Sequence, residues 1–72
     1  MLSLDDLRNC LSAVGQAVDS AKFSQSYVLH LCDGDTGALP YRRAVQATQR
    51  LDATRRQLFR EIEALERQAT DG

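Results

Sequence analysis

Two apolar ladders narrow what this chain can fold into more than any other feature. Leu4, Leu7, Leu11, Val14, Val18, Ala21, Gln25, Val28 and Cys32 follow one another at alternating steps of three and four. A second series keeps the same step through Tyr41, Ala44, Thr48, Leu51, Arg55, Leu58, Ile62, Leu65 and Ala69. That step marks the seam of a helix packed on another helix. Cys10, Ala17, Ser24 and Leu31 are placed to widen the first stripe on one side, and Val45 and Phe59 the second. The composition agrees: Leu, Ala, Arg and Gln favour helix, while only 6% of residues are aromatic and none is tryptophan.

Between the ladders, "DGDTGALP" gathers the turn residues. Gly34 is placed to stop the first helix and Pro40 to begin the second, where its missing N–H costs nothing. Ser3 and Asp6 have the spacing of a capping box, and Asp5 and Asp6 suit the positive end of the helix dipole. The expectation is one all-α domain, an antiparallel two-helix hairpin. Helix 1 would run over about 4–32, the bend over about 33–39 and helix 2 over about 40–69. The terminal Asp71-Gly72 reads as a frayed end. Each helix would be about 42–45 Å long at about 1.5 Å per residue.

Catalysis and metal binding find little support. The "DGDTG" stretch is spaced like the start of a calcium loop, but the carboxylate required at the twelfth position is absent. Ala44 stands there counting from Asp33, and Gln46 counting from Asp35. His30 and Cys32 are two residues apart and point to different faces of a helix, short of a zinc set. The single histidine, the lack of a glycine-rich phosphate loop and the shallow surface of a hairpin argue against an enzyme. No catalytic residue, cofactor, metal or small-molecule substrate is expected. Cys10 and Cys32 stand about 33 Å apart along one straight helix and cannot bridge within it. They read as small buried hydrophobes in a reducing compartment. No apolar run approaches the roughly 20 residues that span a bilayer, and "MLSLDDLRNC" lacks a signal-peptide core. The cytoplasm is the expected location.

A thin hairpin needs cover. Two helices in contact close only one side of each stripe, and many stripe residues are Ala, Val or Cys. The chain is therefore expected to dimerise into a four-helix bundle, or to be completed by another helical protein. Leu4, Leu7, Leu11, Val14, Val18, Val28, Leu51, Leu58, Phe59, Ile62 and Leu65 would form that seam. Gln25 and Arg55 occupy ladder positions where polar groups can fix register. Arg55 is expected to lay its stem in the seam and send its head to water. Phe23, Tyr27 and His30 lie off the seam at helical spacing. They are either exposed anchors for a protein partner or, if helix 1 bends in its serine-rich stretch, the completion of the core.

Net charge is −1, but it is unevenly spread. Residues 1–39 hold two cations against five carboxylates, a net of −3, and residues 40–72 hold seven arginines against five carboxylates, a net of +2. Arg42, Arg43, Arg50, Arg56, Arg60 and Arg67 line the outer face of helix 2. Asp52 can pair with Arg56 and Glu63 with Arg67 at i, i+4. Arg42, Arg43, Arg50 and Arg60 are left as candidates for an acidic protein partner or, in the alternative reading, for RNA or DNA phosphates. Small dimeric hairpins that regulate plasmid copy number bind RNA in this way, a likeness of shape alone. No aromatic interleaves with the arginines, so bases would find no stacking platform.

With two helices, a polar bend and a tyrosine early in the second, the plan is similar to that of the co-chaperones of type III secretion needle subunits. "LPYRRAVQATQRLDATRR" carries the likeness and transfers no functional residue. Arginine in place of lysine fits a bacterial, GC-rich genome. The function expected is a non-enzymatic protein-interaction module: an adaptor, a sequestering regulator or a co-chaperone.

Overall fold

The computed structural model describes residues 2–71, the side chain of Asp71 excepted. Among them there are two helices and no strand, α1 over Leu4–Leu31 and α2 over Leu39–Asp71. The helices run antiparallel as a rod 55 Å long and 17 by 16 Å across. No helix among the described residues is long and apolar enough to cross a membrane.

The start of α1 is closed by its own side chains. The Asp6 amide donates to Ser3 Oγ at 3.1 Å, and the Ser3 amide donates to Asp6 Oδ2 at 3.2 Å. Two of the helix's orphan donors are thereby satisfied. The helix then continues without interruption through the serine-rich stretch to Leu31. Ser26 Oγ donates to the Lys22 carbonyl at 3.2 Å, sharing that acceptor with the helical ladder without interrupting it.

The stop is built one residue earlier than glycine placement suggests. The Gly34 amide donates to the Leu29 carbonyl at 3.0 Å and the Asp33 amide to the His30 carbonyl at 3.1 Å, the paired bonds of a Schellman turn. In that turn the first left-handed residue is Asp33, at φ 55, and Gly34 follows at φ 77. Aspartate tolerates this region better than most side chains. Asp35 holds the bend, its Oδ1 accepting from the Gly37 amide at 2.9 Å. The Arg42 amide reaches the Ala38 carbonyl at 3.0 Å, so α2 starts at Leu39 and Pro40 is its second residue. At the other end Asp71 is still helical, and Gly72 lies outside the described residues.

Both ladders face inward, yet little of either is sealed. Leu7, Val18 and Ile62 are the buried apolar residues among those described, and only Val18 is fully enclosed, at 0% exposure. Thr48 is buried too, and its hydroxyl donates to the Ala44 carbonyl at 3.0 Å, so no buried polar group is stranded there. Leu4, Leu11, Val14, Ala21, Gln25, Val28, Leu51, Leu58 and Leu65 are only half-buried. Because both ladders step by three and four, reversing one about the bend sets Leu7 level with Ile62 and Val18 with Leu51.

Candidate protein-interaction surface

The two long flanks beside the seam differ in chemistry. One is charged. Arg8 bridges from α1 to Glu66 of α2 at 3.1 Å, and Lys22 and Asp52 lie farther along the same side. Asp52 accepts from Arg55 at 2.6 Å and Arg56 at 2.7 Å. Arg55 is thus held by a carboxylate beside the seam as its stem crosses it, and its head is not simply hydrated. Glu63 and Arg67 pair at 3.5 Å on the outer surface. Such exposed pairs contribute little each, but they leave this flank well solvated.

The opposite flank holds no ion pair among the described residues. From α1 it presents Cys10, Ala17, Ser24 and Leu31, and from α2 Pro40, Ala47, Thr54 and Glu61, with Arg43 and Arg50 at the same three-four step. Cys10, Ala13, Ala17, Ser20, Ser24, Tyr27 and Leu31 form a further three-four ladder that sequence reading treated only in part. Its step was visible in the sequence, but small polar side chains masked it. Ala17 is half-buried and the others are exposed. Cys10, expected as a buried hydrophobe, lies open on this flank, because the second helix is too narrow to reach over it. Cys32 is half-buried at the end of α1, and both thiols are free.

Each end of this flank has its own apolar feature. At the bend, Tyr27 is 59% and Leu31 62% exposed. At the open end Leu2, Leu7, Glu61, Ala64 and Leu65 line a shallow groove of about 400 Å³ that is mainly hydrocarbon. Phe23 stands at 78% exposure on the outer face of α1, with His30 exposed one turn from Tyr27. The reading in which a bent helix tucks Phe23 and Tyr27 into the core is therefore excluded. Phe59, expected to broaden the seam, is instead 51% exposed on the charged flank. Across the seam near the bend, Gln25 Nε2 donates to Tyr41 Oη at 3.5 Å, the one polar link between the two ladders among the described residues.

Arg42, Arg43 and Arg50 are exposed on α2, and among the described residues neither they nor Arg60 meet a carboxylate at ion-pair distance. No group of three or more potential metal ligands comes together among the described residues. Asp35, the acid central to the calcium-like stretch, spends its carboxylate oxygen on the turn. No family model matches the chain, and the comparisons with curated proteins and with solved structures found no match either.

Proposed function

We propose that this chain is a non-enzymatic protein-interaction module that works by helical-bundle packing, with a second copy of itself as the first partner. One observation carries the reading: the hairpin leaves too much surface uncovered for a molecule of its mass. Its accessible area is 5569 Å². A compact folded monomer of 8.0 kDa exposes about 4,450 Å². The excess of about 1,100 Å² exceeds the roughly 800 Å² that each partner contributes to a standard interface. Half-buried ladder residues border the flank that holds no ion pair among the described residues. Further helix laid on that flank would complete the core, as an adaptor, sequestering regulator or co-chaperone requires.

The nucleic-acid reading has one observation in its favour, the arginines of α2 that lack a carboxylate among the described residues. Mixing donor- and acceptor-labelled copies at low and high salt separates the two readings. Apolar association gives energy transfer that persists as salt rises. A chain that never associates with itself, yet binds nucleic acid with affinity falling steeply in salt, would overturn the proposal.

A further inference from the structure

We infer that the second copy binds across the flank that lacks ion pairs with its bend at the opposite end, so that α1 lies antiparallel on the partner's α1. The inference rests on the self-association proposed above and adds its face and direction. Three features of that flank point the same way.

First, the flank carries a projection and a recess at matching distances from one point. Tyr27 projects at the bend end, ten residues from Ala17, and Leu7 lies in the groove ten residues to the other side. Each separation is about 15 Å along the helix. A two-fold axis through Ala17, perpendicular to the rod, brings Tyr27 and Leu31 of one copy over the Leu7, Ala64 and Leu65 groove of the other. The same operation repeats the contact at the far end, as a closed dimer demands. Between the two contacts only Cys10, Ala13, Ala17, Ser20 and Ser24 separate the backbones. Small side chains let the helices approach closely.

Second, the same axis matches Glu61 with Arg43, while it brings Arg50 near its own copy. Counted through the reversed ladders, Ala17 is level with Asp52 of α2. Glu61 is nine residues to one side of that level and Arg43 nine to the other. The axis therefore sets Glu61 of each copy opposite Arg43 of its partner. Both are exposed, and among the described residues neither forms an ion pair. The alternative two-fold, parallel to the rod, puts both bends at one end. It stacks α1 on the partner's α2, leaves the grooves facing each other without a projection between them, and does not bring Glu61 to Arg43.

Third, the size fits. The flank measures 55 Å by about 16 Å in outline. That is about 900 Å² per copy, the scale of a standard interface. The salt-bridged flank is as long but would have to desolvate Arg8, Lys22, Asp52 and Glu66, which is costly.

Cysteine cross-linking tests both face and direction. In a background with Cys10→Ser and Cys32→Ser, Ala17→Cys places one thiol on the axis, facing its own copy. Mild oxidation should convert most of it to covalent dimer. Lys22→Cys, on the charged flank, should give little. If Ala17→Cys disturbs folding, native Cys10 with Ser24→Cys and Cys32→Ser supplies a second pair, since residues 10 and 24 are equally far from 17. As a non-covalent check, Glu61→Arg should weaken dimerisation at least several-fold, and adding Arg43→Glu should restore it. A dimer seen by mass that cross-links at position 22 and not at 17, or a charge reversal without rescue, overturns the face and direction while leaving self-association intact. A chain that stays monomeric overturns both.

Discussion

Two glycines make opposite predictions from the same observation. A Cβ built on Gly15 meets nothing within 4 Å, and neither does one built on Gly34. Sterics against the rest of the protein therefore decide neither case, and the backbone decides both. Gly15 sits inside α1, where glycine is about 0.8–1.0 kcal/mol worse than alanine. Gly15→Ala should thus stabilise the fold by about 1 kcal/mol, through the entropy the unfolded chain no longer has to lose. Gly34 has φ 77, a region in which an L side chain costs about 1–2 kcal/mol. Gly34→Ala should destabilise by about 1 kcal/mol. In a domain of this size each kcal/mol moves Tm by about 4–8 °C. Melting followed by circular dichroism, at one protein concentration because association shifts Tm, reads both. The residues are far apart, so the double variant should return close to the parent. A fall in Tm for Gly15→Ala would refute the reasoning. It would mean that another helix presses on the salt-bridged flank, where Gly15 lies midway between Arg8 and Lys22, and a methyl group has no room.

Four further outcomes follow from the same structure. Val18→Ala removes the one fully enclosed side chain and should cost about 2 kcal/mol by denaturant titration. Ser3→Ala should cost about 1 kcal/mol through loss of the capping box, whereas Ala38→Asp should gain about as much, since α2 opens with Arg42 and Arg43 and no acid in its first turn. Tyr27→Ser should weaken self-association and leave the helical content of the concentrated protein unchanged, as measured by sedimentation and far-ultraviolet dichroism. Replacing Arg42 and Arg60 by Gln should leave both mass and melting as they are; a loss of assembly would assign those arginines to the interface.

The ladders made the architecture readable, because a three-four step admits almost no structure except paired helices. The capping box at Ser3 and Asp6 was readable for a similar reason, being local and dependent on spacing alone. What escaped the sequence depends on how wide a neighbour is. Cys10 and Phe59 sit beside the seam by spacing, but a single narrow helix opposite leaves both open. Asp33 took the left-handed position that glycine preference gave to Gly34, because the Schellman bonds count back from where the helical ladder ends. Spacing alone sends the head of Arg55 to water, but Asp52 receives it and is also claimed by Arg56. The flank without ion pairs was visible only piecemeal, since serine and alanine at a regular step look like an ordinary solvated face until the groove and the exposed Tyr27 appear at its ends.

The central claim is that these two ladders close fully only against helix from outside the chain. Its most direct test is the molecular mass by sedimentation equilibrium, taken with the melting temperature across a wide range of micromolar concentrations. The account predicts a particle of twice the 8.0 kDa chain mass, with Tm rising as concentration rises. A particle of 8.0 kDa that melts in one cooperative step, at a temperature independent of concentration, would contradict it.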